Sequence, residues 1–190
     1  MVKKTKFEFT VNELIQNRWS PRAFSDKKIE KEKLQSIFEA ARWSASAFNA
    51  QPWRFLVAYK GDENYQKIVE SMVEFNQLWA SKAPVLILNC YAKHFSHNAQ
   101  INPTAQYDLG QAVAYYSLEA TDLGLFVHQM TGFDASKAHK LLGFDDKISV
   151  FSVTAMGYLG RVESLPEDMQ KMEKAESPRM SQQAFLLNDL

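Results

Sequence analysis

Two arginines and a serine alternate near the start of the chain, at Arg18, Ser20 and Arg22. In an extended segment alternate side chains point the same way, so these three could face one ligand. Guanidinium groups bind phosphate through paired hydrogen bonds, and the serine hydroxyl adds a donor. The segment therefore predicts a site for a terminal phosphate. A solvated stretch without a ligand is the alternative interpretation, because surface arginines are common.

A second candidate segment runs from Trp43 to Phe55 as a loop of small and polar residues that leads directly into an apolar strand. Asn49 and Gln51 each carry an amide with donors and an acceptor, which is what reading the edge of a heteroaromatic ring requires. By itself, this segment could be only a turn.

The elements that must position these residues follow from apolar periodicity. A capping-box sequence at Thr10 begins a short helix that should end near Arg18. Further helices are predicted at about 30–43, 65–73, 109–123 and 136–142, and strands at 55–59, 85–91, 125–127 and 148–156. The polar segment 92–106 is a candidate lid, because long loops in compact domains are usually functional. No periodicity persists beyond Gly160.

Composition limits the classes of function. The chain has 190 residues, 46% of them hydrophobic, which is enough for one domain with a core that needs no metal or disulfide. Its 22 basic and 22 acidic residues create no overall field for nucleic acid or an anionic membrane. With no apolar stretch of membrane-span or signal-peptide length, we expect a cytoplasmic protein. The single cysteine, Cys90, lies in an apolar run and should be buried.

Other sequence features argue against competing sites. His94 and His97 have no accompanying cluster of ligands, so we expect no metal site. Neither a Gly-x-Gly-x-x-Gly sequence in a convincing context nor a phosphate loop occurs. The charged stretch at about 160–190 ends in the apolar cluster Phe185-Leu186-Leu187. We expect this tail to pack on a partner subunit.

The order of the two candidate segments, with a helix between them, resembles the FMN-dependent nitroreductase family. Arg-x-Ser-x-Arg-x-Phe is followed after about 25 residues by Asn-x-Gln-Pro-Trp-x-Phe. The resemblance continues in Asp108-Leu109-Gly110-Gln111-Ala112, in Leu123-Gly124-Leu125 and in Val127 to Phe133, so it spans almost the whole chain. It departs from the family at Ser177, where members often have a basic residue, and at Gln129 to Thr131, where some have Pro-x-Glu.

The resemblance implies roles for particular positions. One group would bind the phosphate and the adjoining oxygens of FMN, a second would contact the flavin from the partner subunit, and a third would lie against one face of the ring. In that order they are Arg18, Trp19, Ser20, Arg22 and Arg179; Ser46, Ala47, Phe48, Asn49 and Gln51; and Gln129, Met130, Thr131 and Gly132. No catalytic side chain is implied, because N5 of the flavin carries the hydride.

The implied fold is α+β, with three αβα layers around a mixed sheet, as a single domain over 1–190 that forms a homodimer. The implied activity is reduction of nitroaromatic, quinone or similar flat acceptors by NADH or NADPH, with ping-pong kinetics. Two alternatives remain open at this point. The chain could be a flavin-binding redox sensor or reservoir without efficient turnover, or an interaction module whose arginines bind a partner's phosphate or carboxylates.

Overall fold

The computed structural model describes residues 7–188 of the chain, which form both helices and strands. The helices are α1 (Glu13–Asn17), α2 (Lys31–Arg42), α3 (Glu63–Ser71), α4 (Glu74–Ala80), α5 (Ala105–Asp122), α6 (Ala135–Leu142) and α7 (Glu167–Lys174). The strands are β1 (Trp53–Tyr59), β2 (Val85–Ala92), β3 (Phe126–Met130) and β4 (Ile148–Gly157). The side chain of Asn12, rather than Thr10, caps α1 by accepting the N–H of Leu14.

The four strands form one sheet in the order β1-β2-β4-β3, so β1 and β3 are its two edges. Every pairing between these strands is antiparallel, which corrects the expectation of a mixed sheet for residues 7–188. The physical reason is that β2 and β3, which run in the same direction and are joined through α5, do not pair with each other. Instead β4 lies between them with the opposite direction.

Helices cover both faces of the sheet, as the three-layer prediction requires. On one face α2 and α5 pack through Ile37 and Tyr116, and on the other face α3 and α4 pack through Ile68 and Trp79. Strand β2 is buried on both faces because its successive side chains alternate between the two cores. The α+β class and the αβα layering are therefore confirmed.

Two helices were not expected from the sequence. The predicted helix at 65–73 breaks at Met72, whose backbone is extended, and the chain restarts as α4. The stretch beyond Gly160 contains α7, and Leu165 and Met169 are buried in the core of their own chain. The segment that we expect to pack on a partner subunit is therefore limited to the residues after 175. For those residues the packing stays a prediction.

Cys90 lies in β2 next to a shift in the register of the β2–β4 pairing. Its side chain is buried, as expected, and burial raises the pKa of its thiol to about 12. Among residues 7–188, no helix combines the length and apolar character needed to cross a bilayer.

Candidate functional site

The arginine segment 18–24 runs beside the edge strand β3. The ring of Trp19 meets Phe126 edge-on, with centroids 6.0 Å apart. The carbonyl of Pro21 lies 2.9 Å from Nδ1 of His128, and Phe24 forms a bridge with Leu159 after β4. These contacts fix the segment against the sheet and leave Ser20 exposed.

Arg18 and Arg179, far apart in sequence, meet in one cavity. This cavity has a volume of about 270 Å³ and is also lined by Phe9 and Ile15. Burial and the like charge of Arg179 lower the pKa of Arg18. No Asp or Glu forms an ion pair with either arginine within residues 7–188. Glu8 also lines the cavity. Two cations held close together with no ion-paired carboxylate favour an anion, and the role of Arg18 and Arg179 in binding a phosphate stays a prediction.

Arg22 has different surroundings from Arg18. Its guanidinium carbon lies 5.8 Å from the ring centroid of Trp79, and its Nε is buried with no hydrogen-bond partner among the described residues. The backbone N–H groups of Arg22 and Ala23 both donate to the carboxylate of Glu173. Successive N–H groups point in opposite directions in an extended strand, so the chain bends here and the alternation expected from Arg18 does not continue to Arg22.

His128 is neutral at physiological pH in this cluster. Burial and the nearby charge of Arg22 lower the pKa of His128 to about 4. Because the Pro21 oxygen can only accept, the Nδ1 of His128 must be the nitrogen that donates. Arg22, and not His128, is therefore the positively charged group of this cluster, and it lies beside Trp79.

Acidification should destabilise the protein through His128. Its folded pKa of about 4 lies below the ordinary value of 6.5, so the unfolded chain binds a proton first as the pH falls. We expect a loss of about 2 kcal/mol of unfolding free energy between pH 7 and pH 5, all of it regained as the pH returns to 7. Urea denaturation at both pH values measures it. His128→Gln should remove this part of the pH dependence, and an equal pH dependence in the variant would contradict the prediction.

At the end of β3, mainly backbone groups are available to a ligand. The Gln129 side chain donates to Ser117 Oγ at 3.0 Å, and the Met130 side chain is buried. Gly132 accepts hydrogen bonds from Asn76 Nδ2 at 2.9 Å and from the N–H of Val73 at 3.0 Å. A Cβ at Gly132 would lie 2.6 Å from Asn76 Nδ2, so only glycine fits this contact. Asn76, on α4, thus fixes the segment that follows β3.

Gly132→Ala should therefore lower the unfolding free energy by about 2 kcal/mol, because the buried amide of Asn76 must move and lose its bond. Chemical denaturation of the variant measures the loss. Asn76→Ala is the matched control, since it removes the obstructing side chain. The double variant should be less destabilised than the sum of the single variants, and simple additivity would show that the two residues do not compete for this space.

The loop that contains Asn49 has a strained backbone. Phe48, Asn49 and Gln51 have φ values of 52°, 53° and 46°, in the left-handed region. Each residue in this conformation costs on the order of 1 kcal/mol, so the conformation persists only where surrounding contacts hold it. Ser46 Oγ accepts the N–H of Gln51 at 3.0 Å, and the carboxylate of buried Asp108 accepts the N–H of Ala47 at 3.3 Å. Strain of this kind clusters at ligand sites.

Phe48 is exposed over 84% of its surface, although it lies at the tip of this enforced turn. Its ring meets Phe95 edge-on with centroids 5.8 Å apart, and His97 lies 5.2 Å from Phe95. The predicted lid segment thus contacts the strained loop. No group of three or more metal-ligating side chains occurs among residues 7–188.

One chain does not bring the strained loop and the arginines together. The loop leads into edge strand β1, whereas the arginine segment follows the opposite edge strand, β3. Three strand spacings separate these edges by about 14 Å. Through the strand pairing, Trp53 lies level with Ser149 of β4, and Met130 lies level with Val153 of the same strand. The start of β1 and the end of β3 are therefore also offset by roughly 13 Å along the strand direction. Within one chain the two places are therefore on the order of 20 Å apart.

Comparison with known proteins decides the family. The model of the "Nitroreductase family" matches residues 15–78 and 63–158, which together make up most of the chain. The chain belongs to the nitroreductase family. This confirms the resemblance inferred from the spacing of the arginine and Asn-x-Gln-Pro-Trp segments.

Several relatives of this nitroreductase-family chain have informative names. A solved structure described as an oxidoreductase containing FMN is 34% identical, with a TM-score of 0.90 over 96% of this chain and 93% of its own. An Archaeoglobus fulgidus protein with the provisional name NADH dehydrogenase/NAD(P)H nitroreductase is 29% identical over 76% of this chain and 83% of its own length. The Aliivibrio fischeri major NAD(P)H-flavin oxidoreductase is 37% identical over 67 residues, 33% of this chain and 30% of its own.

In this family member two buried carboxylates, Asp108 and Glu173, contact the candidate site and were not identified as site residues from the sequence. Asp108 is the fourth residue of α5, whose start follows a polar loop, and its burial could have been suspected from its place on the apolar stripe of that helix. Glu173 belongs to a helix that was not expected, because α7 offers only Met169 and its neighbours as an apolar face. Both accept backbone N–H groups from the two predicted binding segments.

Proposed function

We propose that this chain is a cytoplasmic FMN-dependent NAD(P)H oxidoreductase that reduces flat nitroaromatic or quinoid acceptors by a ping-pong mechanism. The observation that carries the proposal is the pairing of Arg18 with Arg179 in one cavity, where no Asp or Glu of residues 7–188 forms an ion pair with either arginine, on a chain with no net charge. A similar protein, 34% identical, contains FMN.

The residues present fit FMN. Arg18 and Arg179 would bind its phosphate through charge-assisted hydrogen bonds, with Ser20 as a further donor. The buried, unpartnered Nε of Arg22 is a donor suited to an oxygen of the ribityl chain or the ring. The backbone of the segment 129–132 would lie against one ring face, since the Gln129 and Met130 side chains are engaged elsewhere.

Bound FMN would supply hydride transfer at N5, and this chain's residues would bind and orient the ring. Arg22 would place a positive charge beside the ring, and such a charge would stabilise the negative charge that reduction adds. Neutral His128 contributes no second charge, but its hydrogen bond to Pro21 fixes the segment that carries Arg22. With one ring face against the protein, nicotinamide and acceptor would use the other face in turn, which gives ping-pong kinetics.

A second copy of this chain would complete the site. The loop of Ser46, Ala47, Phe48, Asn49 and Gln51 lies at the sheet edge opposite to the arginines, on the order of 20 Å away in the same chain. The tail also leaves Phe185 and Leu187 exposed, as expected of a segment that packs on a partner. Dilution to monomers should therefore release FMN.

The acceptor class follows from the aromatic residues near that loop. Phe48 presents an exposed ring beside the half-buried ring of Phe95, which favours flat aromatic acceptors over aliphatic ones. Nitroaromatics and quinones both meet this requirement.

The absorbance spectrum of the purified protein tests the proposal. Spectra are recorded anaerobically before and after stoichiometric NADH or NADPH. Flavin bands that bleach promptly would support a reductase and show which nicotinamide is preferred. Bands that persist would favour the redox sensor or reservoir, and no bands after reconstitution with FMN would refute flavin binding.

A further inference from the structure

Glu173, on α7, is a buried carboxylate bound to the backbone of the arginine segment. Only 3% of its surface is exposed. Its Oε1 accepts the N–H of Arg22 at 2.9 Å and that of Ala23 at 3.1 Å, and its Oε2 lies 3.0 Å from the Arg22 nitrogen. Burying a carboxylate is costly unless such donors compensate it. These contacts therefore specify one arrangement of both partners.

The bond pattern determines where the side chain of Arg22 points. Two successive N–H groups can converge on one oxygen only if the backbone turns, as it does at Arg22. This turn directs the guanidinium over Trp79 and leaves its Nε buried without a partner among residues 7–188. Without the carboxylate, an ordinary extended backbone would be available and would direct Arg22 elsewhere.

The same helix also leads to the second arginine cluster. Helix α7 ends at Lys174, and Arg179 follows five residues later in the cavity of Arg18. Fixing α7 through Glu173 therefore constrains the start of the tail that carries Arg179, in addition to the backbone of Arg22. One carboxylate thus links two of the groups that would bind an anionic ligand.

We propose that Glu173 is a positioning residue for FMN binding, which acts by orienting Arg22. The inference rests on the proposed function, because FMN is the ligand that Arg22 would meet. It differs from a general structural role in one respect: most of its effect on FMN affinity requires the side chain of Arg22, and only the smaller part that acts through the tail of Arg179 does not.

A double-mutant cycle measures this dependence. FMN dissociation constants are determined by flavin fluorescence for the wild type, Glu173→Gln, Arg22→Ala and the double variant. Glutamine keeps the shape but places an N–H donor where an acceptor is needed. We expect Glu173→Gln to weaken FMN binding at least about 10-fold alone and less than about 3-fold in the Arg22→Ala background. An equal factor in both backgrounds would overturn the proposal.

Glu167→Gln is the matched control, because Glu167 is exposed on the same helix and should leave FMN affinity unchanged. If Glu173→Gln does not fold, amide hydrogen exchange of the wild-type holoprotein replaces the cycle. Protected Arg22 and Ala23 amides would support the role, and rapid exchange at both would overturn it. A wild type that binds no FMN would refute the proposed function instead, and the same exchange measurement on that protein would still test the contact with Glu173.

Discussion

Replacing Arg18 with alanine should weaken FMN binding about 100-fold, or roughly 2.7 kcal/mol, while the unliganded protein becomes no less stable. Two effects have opposite signs. The variant loses a charge-assisted bond to phosphate, but it also removes the repulsion and burial that lower the pKa of Arg18 beside Arg179. We expect the unfolding free energy without FMN to be unchanged or higher by up to about 1 kcal/mol. Fluorescence titration and urea denaturation measure the two quantities.

Arg161→Ala is the control for this prediction, because Arg161 is an exposed arginine outside the cavity. It should leave both quantities unchanged. A variant at Arg18 that loses stability and FMN affinity together would indicate that the arginine supports the fold rather than the ligand.

Mixed dimers should regain activity that neither parent has. The first parent carries Arg18→Ala, and the second carries Asn49→Ala with Gln51→Ala in the strained loop. If each site takes its arginines from one chain and its loop from the other, a heterodimer contains one intact site and one doubly altered site. Random mixing makes half of the dimers heterodimers, so about a quarter of all sites should be active.

The measurement is NAD(P)H oxidation after the two variants are unfolded together and refolded in equal amounts. Each variant refolded alone is the control and should keep less than about a tenth of wild-type activity. Mixed samples that stay at the level of the parents would show that arginines and loop act within one chain. That outcome would require the loop to cross the sheet, in conflict with its place beside β1.

Local patterns were sufficient to predict most of the fold. Helices α2 and α5 bury the apolar stripes that predicted them, and β2 buries its apolar run. In these elements the spacing of apolar residues therefore matches the residues that are buried. The position of β4 between β2 and β3 could not be predicted, because strand order depends on contacts between distant segments. Helix α4 was missed because its seven residues are too few for an apolar period to be evident.

The site was predictable only in part. Arg18 was identified by residue type and Arg179 by the family resemblance, and the structure places both in one cavity. The bend at Arg22 depends on Glu173, which lies 151 positions away, and no local rule indicates such a bond. The left-handed backbone of Phe48 was equally hidden, because its residue type does not favour that conformation.

Cys90 makes the opening of the sheet measurable without any substitution in the chain. It is the single thiol of the chain, and it is buried in β2 with a pKa of about 12. An alkylating reagent needs the thiolate, so it should react with this residue only in molecules whose central strand has separated from its neighbours. The rate of labelling then reports the free energy of that opening. Slower labelling in the presence of a ligand or at higher protein concentration would show how strongly each stabilises the folded chain.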